Sequence, residues 1–437
     1  MTPGNVSNLE SDGWSSFQKR LHTIESKGET IPSKFSHQAT KISWSTPVVR
    51  EVASRNTRSG STYEADMNCD FLSNSYMTLD LPQITVGDEY LESVQVCWTP
   101  NIFHNIIESG GLYMNGYKYQ NVDKYWLDIH SQLITTSSES KRNAYMKNIG
   151  NKAALCDWSC NIEGDELFLF IPWFFTENSV LSLPLLLIKD SVKFEFKFNL
   201  NFSSLIRMRI KGENGNWECI KYDSKYLKGI NDKQRIPSPQ MFAKYLMILE
   251  SERKWRLSES SHKIYARDMV RVSSMVVREG GDRVDININC SNPITHIYWT
   301  AENMEQNKLN NLSNYTTSGD ESGKNPIHKR SMSYGPLERD EELSGGHFEY
   351  ADPYMSLAQL PKSSGYNSSS YSDTTKSINA DTGISTSGKN STMALWIKSE
   401  TDQQKYRVNC YLEHMIEITY SKKDKCSISS SQVRAYK

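Results

Sequence analysis

Strict two-residue alternation of apolar and polar side chains over residues 191–202 restricts this chain to structures rich in β-sheet. The apolar positions are Val192, Phe194, Phe196, Phe198, Leu200 and Phe202. Side chains of a strand point alternately to opposite faces, so the pattern predicts one face in a core and one face in water. Similar alternation recurs over residues 94–98, 284–290, 406–412 and 416–420. The chain is therefore predicted to be all-β.

Two segments break the alternation. Residues 167–175 read LFLFIPWFF and are apolar on both faces, which predicts burial between layers, with a bend or strand end at Pro172 because proline cannot donate to a ladder. Residues 172–175 are accordingly predicted to lie in the core formed by the first half of the chain. The second segment has helical spacing at Val122, Tyr125, Trp126, Ile129 and Leu133. It predicts about three turns of amphipathic helix, capped by Asn121 or Asp123 and lying across the edge of a sheet.

The length of 437 residues indicates more than one domain. We divide the chain into an N-terminal arm at residues 1–39 and two strand-rich blocks at residues 40–235 and 236–437. Residues 301–392 are rich in Ser, Asn, Gly and Asp, which predicts long surface loops on the second block. Within this interval, residues 363–389 are predicted to form an exposed loop that accepts a peptide tag near Ser369, since loop closure entropy grows slowly with length.

Charge and cysteine usage exclude several functional classes. Fifty basic and 51 acidic residues give a formal charge of −1, which argues against a general nucleic-acid binder. No stretch has the roughly 20 apolar residues of a membrane span, and residues 1–12 lack the apolar region of a secretory signal. The eight cysteines are scattered, which favours a cytosolic protein with reduced, buried thiols over a disulfide framework.

A search for catalytic or metal-binding motifs is mostly negative. Cys156 and Cys160 lack a second Cys/His pair to complete a zinc site. His262 follows two serines, but sequence neighbours rarely form a triad, so we interpret it as a hydrogen-bonded structural histidine. Glu341 and Glu342 are interpreted as a solvated pair. Glycosylation sequons occur at Asn311, Asn314, Asn367 and Asn390, and we interpret them as chance matches in a polar stretch.

Four segments follow one another in an order known from a protein family. The first is Gly116-Tyr117-Lys118 before the predicted helix at residues 123–133. The second is Phe170-Ile171-Pro172-Trp173-Phe174-Phe175, followed by Asn178, by Leu181-Ser182-Leu183-Pro184-Leu185 and by Val192-Lys193-Phe194. The third runs from Tyr245 to Arg253, with Ser260-Ser261-His262 just after it. The fourth is residues 292–299, from Asn292-Pro293 to Trp299.

These segments resemble the major capsid protein of the nucleocytoplasmic large DNA viruses, the family of iridovirus, chlorovirus and asfarvirus shells. The second segment is the most specific and is similar to the family pattern IPLxFFF…N…ALPLIAL. Residues 34–44 and 406–411 depart from the family pattern, so the chain is identified as a divergent member. The family-signature residues carried by the resemblance are Pro172, Trp173, Phe174, Phe175, Pro184, Tyr245, Glu252, Arg253, His262, Pro293 and Trp299.

The resemblance implies a double jelly roll: two tandem eight-stranded β-sandwiches with a few short helices in loops. It implies a viral capsid protein, three copies of which form a pseudo-hexagonal capsomer of an icosahedral shell. The implied partners are the homotrimer, neighbouring capsomers, minor capsid proteins, a penton protein and inner viral membrane proteins, with no direct nucleic-acid contact. The implied location is the virion, after synthesis and assembly in the host cytoplasm. No catalytic residue, metal or cofactor is expected.

Two alternative functions remain open from the sequence. A capsid-derived scaffold or minor shell protein is one, because poxviruses use a relative in that way. A carbohydrate-binding or hydrolysing β-sandwich is the other, because aromatic strands and long polar loops also suit a lectin, and distant carboxylates can form a glycosidase pair.

Overall fold

In the computed structural model, antiparallel β-sheet is the main regular structure of the chain. The described residues are 23–26, 29–32, 42, 44–57, 60–136, 138–177, 181–258, 261–277, 283–290, 292–320, 322–334, 337–372, 391–398, 404–421 and 427–428. Every pair of named strands within them is antiparallel.

The strands fall into two consecutive groups. Those up to residue 248 are β1 (Thr23–Ser26), β2 (Glu29–Pro32), β3 (Ser45–Glu51), β4 (Ala53–Asn56), β5 (Ser61–Glu64), β6 (Phe71–Leu81), β7 (Ile84–Thr85), β8 (Val94–Trp98), β9 (Ile107–Met114), β10 (Tyr117–Val122), β11 (Asn161–Ile162), β12 (Asp165–Phe170), β13 (Leu183–Pro184), β14 (Val192–Phe198), β15 (Ile206–Lys211), β16 (Trp217–Ile220) and β17 (Gln240–Ile248). Those after it are β18 (Ser261–Val277), β19 (Arg283–Ile288), β20 (Ile294–Asn303), β21 (Ile327–Tyr334), β22 (Leu337–Ser344), β23 (Tyr366–Ser370), β24 (Ser391–Ile397), β25 (Tyr406–Ser421) and β26 (Ser427–Ile428).

Short helices lie between the strands. They are α1 (Ile102–Asn105), α2 (Lys124–Leu133), α3 (Glu139–Asn148), α4 (Ala153–Cys156), α5 (Phe174–Glu177), α6 (Glu250–Ser258), α7 (Met304–Asn307) and α8 (Asp352–Ser356), with a π-helical turn at His347–Ala351 directly before α8. Single 3₁₀ turns occur at Asp88–Tyr90, Leu185–Leu187, Phe202–Ser204 and Ser224–Tyr226. None of the helices in the described residues has the length and apolar character of a membrane span.

The first group of strands forms a sandwich around one aromatic core. One sheet has the order β10-β9-β14-β5-β4, and the other has the order β12-β6-β17-β3 with β13 added to β6. The same group also contains a three-stranded sheet, β16-β15-β8, and two short pairs, β11-β7 and β1-β2. Gly110 of β9 allows close packing here, since a Cβ atom at this position would lie only 2.4 Å from the ring of Phe196.

The second group forms another sandwich with its own core. One sheet has the order β18-β25-β20-β23, with β26 paired to β25, and the other has the order β19-β24-β21-β22. Strand β19 alternates exposed and buried side chains, so Val284, Ile286 and Ile288 point inward as the sequence pattern predicts. They pack with the fully buried Trp299 of β20.

Strand β17 belongs to the first sandwich although it follows residue 235, where the sequence suggested the division. It pairs with β6 on one side and with β3 on the other. Helix α6 and then β18 follow it, so the chain leaves the first sandwich after Ile248.

The alternating segment forms β14, as predicted, but the strand ends at Phe198. Leu200 and Phe202 come after its end and are buried nevertheless. The apolar run at residues 167–175 divides as Pro172 predicts, into β12, a bend and the short helix α5. Trp173, Phe174 and Phe175 are buried, whereas Phe170 is 43% exposed, so the expectation of burial over the whole run is wrong at this residue. The reason is that Phe170 lies on the outer face of its sheet, beside the ring of Tyr76.

Residues 301–392 are not simply surface loops, and that expectation is corrected. The described part of this interval contains β21, β22, β23, α7, the π-helical turn and α8. Strand β23 pairs with β20, and Ser369 lies opposite Ile297 and is only 5% exposed. Hydrogen bonds offset the cost of burying the serine and asparagine side chains of β23. Asn367 Nδ2 donates to the Trp299 carbonyl at 3.4 Å, and Ser368 Oγ donates to Asp352 Oδ2 at 3.3 Å. Residues 373–389 of the predicted exposed loop lie outside the described residues.

Candidate functional site

Helix α2 lies at the junction between the two sandwiches, packing against β9 on one side and against β20 and β23 on the other. The predicted cap is confirmed at Asp123, whose side chain accepts a hydrogen bond from the Trp126 amide at 2.9 Å. Most of the helix is buried, including the polar residues Asp128, Ser131 and Gln132. A surface helix would expose its polar face, so this burial marks α2 as part of an internal interface. We call the contacts of α2 and its neighbours with the second sandwich the junction.

The capping residue Asp123 also joins the two halves. Tyr411 of β25 donates its hydroxyl to Asp123 Oδ1 at 2.6 Å, and Arg271 of β18 forms an ion pair with Oδ2 at 3.1 Å. Burial, strengthened by the nearby Asp123 charge, raises the pKa of Tyr411 well above its ordinary value, so the phenol remains a donor. One carboxylate therefore begins a helix of the first sandwich and binds two strands of the second.

Glu302 of β20 provides a second link. Its side chain is fully buried and accepts a hydrogen bond from Tyr125 at 2.9 Å, and it forms ion pairs with Lys124 at 3.3 Å and Arg407 at 3.5 Å. Burial alone would lower the pKa of Lys124, but Glu302, together with Tyr125 and Asp128, outweighs this effect and raises that pKa. Two cations from different sandwiches thus compensate one buried anion.

Asp128 forms the centre of a third cluster. Its Oδ1 accepts from Asn101 at 3.0 Å and lies 2.7 Å from His104 Nδ1, and its Oδ2 accepts from the Tyr315 hydroxyl at 2.8 Å. The other ring nitrogen of His104 lies 3.0 Å from the hydroxyl of Tyr145. Tyr315 comes from the second half of the chain, so this carboxylate also holds the two halves together.

Backbone groups extend the junction on both sides of these clusters. Asn310 donates to the carbonyls of Ser203 and Ile206 at 2.8 and 2.7 Å. Gln359 donates to the Ser131 carbonyl at 3.1 Å, and Arg142 donates to the Leu360 carbonyl at 2.7 Å. Several residues of the interval 301–392, which was predicted to form surface loops, therefore contact the first sandwich.

The junction also has an apolar component. The Trp126 ring lies 5.8 Å from that of Tyr298 and 6.0 Å from that of Tyr411. The apolar core of the first sandwich continues through these residues to Ile416 and Ile418 of β25. Burial of apolar area and satisfied buried charges act together here, which favours one fixed arrangement of the two halves.

The reactive side chains among the described residues of the junction are closed off from solvent. Asp128, His104 and Tyr145 form a relay of the kind that activates nucleophiles, but His104 and Asp128 are fully buried and Tyr145 is 8% exposed. Because no substrate can reach these buried groups, the relay has a structural role. Within the described residues, no group of three His, Cys, Asp or Glu side chains is arranged to bind a metal ion.

Of the signature residues near the bend at Pro172, Trp173, Phe174 and Phe175 are buried in the first core as predicted, whereas Pro172 is only half-buried, so the predicted core position is wrong for it. Pro172 lies at the bend before α5, and the Trp173 ring packs 5.7 Å from Phe194 and 6.2 Å from Phe196. Phe174 and Phe175 stack edge to face at 5.7 Å, and the Phe174 amide donates to Gln120 at 2.8 Å. Pro184 is buried in β13, opposite Phe71.

The signature residues of the crossing segment contact the first sandwich. Tyr245 is fully buried, and its hydroxyl accepts from the Asp66 amide at 3.0 Å. Glu252 pairs with Arg256 one turn along α6 at 2.8 Å, and Arg253 pairs with Asp70 at 3.4 Å. These charges thus stabilise α6 against the first sandwich.

The remaining signature residues lie in the second sandwich and do not form a site with the others. Trp299 is fully buried against Phe348 and the guanidinium of Arg330. The Pro293 carbonyl accepts from the Met415 amide at 3.1 Å. The backbone of His262 in β18 pairs with Tyr420 of β25, but the side chain of His262 lies outside the described residues.

The other sequence candidates are separate from the junction. Glu341 and Glu342 are exposed on β22, as expected for a solvated pair. Asn311 and Asn367 are buried, and the Asn311 amide donates to Gly319, so these two sequons have no room for a glycan. Asn390 lies outside the described residues. Among the described cysteines, Cys69, Cys97 and Cys410 are buried, whereas Cys219 is exposed.

Sequence reasoning missed the junction residues Asp128, Glu302, Tyr315 and Arg407. The partners of Asp128 lie up to 187 residues away along the chain, so sequence spacing could not connect them.

Comparison with known proteins places the two halves in related families. A model described as "Major capsid protein N-terminus" matches residues 35–247, and one described as "Large eukaryotic DNA virus major capsid protein" matches residues 252–421. The major capsid protein of Wiseana iridescent virus is 23% identical over 375 residues, covering 79% of this chain and 75% of the relative. That of Invertebrate iridescent virus 3 is 29% identical over 199 residues, covering 42% of this chain and 41% of the relative.

Solved structures share the fold. VP54 of PBCV-1 superposes with a TM-score of 0.69 at 11% identity, covering 89% of this chain and 98% of that one. The Faustovirus major capsid protein superposes with a TM-score of 0.68 at 8% identity, covering 92% and 93%. The predicted all-β double jelly roll with short helices in loops is confirmed.

Proposed function

Because the chain belongs to the large eukaryotic DNA virus major capsid protein family, we propose that it is a structural subunit of the virion capsid, in the form of a trimeric, pseudo-hexagonal capsomer. Two sandwiches in each chain give six around a threefold axis, so a trimer can occupy a six-coordinated position of an icosahedral lattice. Closed cyclic assembly is the usual outcome for repeated copies of one chain.

The observation that carries this function is the junction. A pseudo-hexagonal capsomer needs the two sandwiches of each chain to keep one mutual orientation, because three copies must close without a gap. Asp123, Asp128 and Glu302 each bind both halves through buried or half-buried polar contacts. Small rotations would break several of these contacts at once, so the junction favours a rigid building block.

The proposed unit comprises an N-terminal arm at residues 1–39, a first jelly roll ending with β17 and a second beginning with β18. We propose that the signature residues have a structural role, since Trp173, Phe174, Phe175, Pro184, Tyr245 and Trp299 are buried in the cores and Glu252 and Arg253 form ion pairs in or beside the crossing helix. The chain then acts without a catalytic site.

Exposed apolar side chains support assembly. Phe170 lies on an outer sheet face, and Tyr354 and Met355 of α8 are 77% and 70% exposed. We propose that such surfaces meet neighbouring chains and capsomers, and that minor capsid proteins, a penton protein and inner viral membrane proteins complete the particle. Nucleic acid is not a direct partner in this proposal, and assembly takes place in the host cytoplasm.

Abundance in purified particles tests the proposal. A principal capsomer subunit is expected to be among the most abundant proteins of mature virions. Presence in immature particles and absence from mature ones would instead identify a scaffold. A glycan array and a broad glycosidase screen test the lectin or hydrolase alternative, and we expect both to be negative.

A further inference from the structure

The sheet β16-β15-β8 carries an unusual cationic face in the first sandwich. Strand β15 alternates, so Ile206 and Met208 are buried while Arg207 and Arg209 point outward. Both guanidinium groups lie over one indole ring, that of Trp158, at 5.1 and 4.8 Å from its centroid. Arg209 also lies 4.8 Å from the ring of Trp217, so it is held between two indoles. We call these four residues the arginine–indole face.

The arginine–indole face is preorganised. Arg209 Nε donates to Gln95 Oε1 at 2.9 Å, which fixes the guanidinium plane. Arginine held by aromatic stacking loses little further side-chain entropy when it binds a carboxylate. The face therefore meets a main requirement of a binding site, since its side chains are already ordered.

The positive charges of this face are not neutralised within the described chain. None of the described carboxylates forms an ion pair with Arg207 or Arg209. Two like charges on one ring repel each other, and the indole quadrupole offsets only part of that cost. The arrangement is thus suited to an acidic partner.

A complementary acidic strand lies in the other half of the chain. Strand β22 has the sequence LERDEELS and forms an edge of the second sandwich. Asp340 and Glu342 pair internally with Arg330 at 2.6 Å and Lys329 at 3.2 Å. Glu338 and Glu341 are exposed, and no ion pair joins either to a cation in the described residues. An exposed edge strand also offers unpaired backbone groups to a neighbour.

We propose that the arginine–indole face of one copy binds the acidic edge strand β22 of the next copy, with Arg207 and Arg209 facing Glu338 and Glu341. This inference rests on the proposed trimeric capsomer. A ring of identical chains needs two different, complementary patches on each chain, because the contact runs head to tail. Six sandwiches around an axis alternate between first and second, so each first sandwich meets a neighbour's second sandwich.

Charge balance also favours a second copy as the occupant. The chain has a formal charge of −1, so no overall field attracts an unrelated acidic protein or repels another copy. The first half offers two arginines without an ion pair and the second half offers two such glutamates, so the numbers of positive and negative charges are equal. Charge pairs at an interface mainly set register and partner choice, which a closed ring requires.

A charge-swap experiment tests the contact by sedimentation equilibrium of the full chain at several salt concentrations. The variants are Arg207→Glu with Arg209→Glu, Glu338→Lys with Glu341→Lys, and all four together. Each reversal alone is expected to weaken trimer formation by about tenfold or more, and the fourfold variant is expected to restore most of it. Lys147→Glu with Glu163→Lys reverses two exposed charges elsewhere on the first sandwich and should have no effect.

The outcomes separate this inference from the proposed function. If the wild-type chain forms a trimer that neither reversal weakens, the proposed contact is wrong and the capsomer proposal stands. If both reversals weaken the trimer but the fourfold variant restores nothing, the pairing of these two faces is also wrong. A wild-type chain that stays monomeric contradicts the capsomer itself. A reversed variant that loses cooperative thermal unfolding has not folded and is replaced by the variant Arg207→Gln with Arg209→Gln. Trimer formation by this neutral variant is expected to depend less on salt concentration than that of the wild type.

Discussion

Asp128 and Glu302 are fully buried carboxylates, and an ionised carboxylate is costly to bury unless donors and cations surround it. Asp128 accepts a hydrogen bond from the hydroxyl of Tyr315 in the second half of the chain. Glu302 accepts one from the hydroxyl of Tyr125 in the first half. At the scale of single residues, each buried anion thus has partners on both sides of the junction. The free energy of the two charges depends on the halves staying together, which couples local chemistry to the shape of the whole chain.

Replacement of Asp128 by Asn is expected to loosen the junction. Asn keeps the size of the side chain but places an amide donor among the donors of Asn101, His104 and Tyr315. Removal of one partner from a buried charged network typically costs about 3–5 kcal/mol. Hydrogen exchange should become faster at residues 308–318 and in α2. Asp80→Asn, an exposed residue of β6, is the matched control and should leave exchange unchanged. Equal exchange in both variants would contradict the role given to Asp128.

His414 is expected to make stability depend on pH. Burial lowers the pKa of this fully buried histidine from 6.5 to about 4. Its nearest charged groups are Asp268 of β18, whose Oδ2 lies 3.7 Å from Nε2, and the adjacent Glu413, which raises the pKa and so opposes part of the shift. The unfolded chain therefore binds a proton below about pH 6.5, whereas the folded chain binds it only near pH 4. The stabilising contribution is complete above pH 6.5 and decreases as the pH falls towards 4.

At pH 5 this contribution should be smaller by about 2 kcal/mol than at pH 7.5. Burial also lowers the pKa of His130 to about 4, so the His414 part is measured as the difference in pH dependence between wild type and the His414→Gln variant. His414→Gln cannot take up the proton and should show a smaller loss of melting temperature on acidification. His328→Gln, at an exposed position of β21, should keep the wild-type pH dependence. An unchanged pH dependence in His414→Gln would mean that this histidine is not the group responsible.

At the scale of elements, the sequence predicted best where apolar residues alternate or recur with a regular period. Strand β14 and helix α2 follow from such patterns, and Asp123 caps the helix as expected. Strand β23 could not be predicted in this way, because its sequence YNSSS has a single apolar residue. Its polar groups are buried through hydrogen bonds with β20 and α8, which depend on tertiary contacts and leave no local pattern. The junction is hidden for the same reason.

Peptide insertion distinguishes buried polar strands from true loops. A short tag after Ser369 would be accepted if residues 363–389 formed an exposed loop. It is expected to prevent folding because Ser369 of β23 pairs with Ile297 of β20. The same tag after Asp232, an exposed residue between β16 and β17, should be tolerated. The yield of folded protein, assayed by cooperative thermal unfolding, measures both. Normal folding with the tag after Ser369 would contradict the pairing of β23.

At the scale of the whole molecule, the chain consists of two β-sandwiches. They are held against each other by buried ion pairs, hydrogen bonds to the backbone and a shared apolar core. Sheets give each sandwich rigid walls, and the junction extends that rigidity across the chain. A capsid subunit needs this property more than it needs a reactive group. The surfaces left over, including exposed Phe170, Tyr354 and the arginine–indole face, are then available for contacts between copies. Permanent interfaces of this kind bury well over roughly 1,000 Å².

The mass of the purified protein in solution tests the central claim most directly. Light scattering after size-exclusion chromatography should give about 150 kDa at micromolar concentration, because three copies of the 50.1 kDa chain form the proposed capsomer. A stable monomer near 50 kDa under the same conditions would contradict the account.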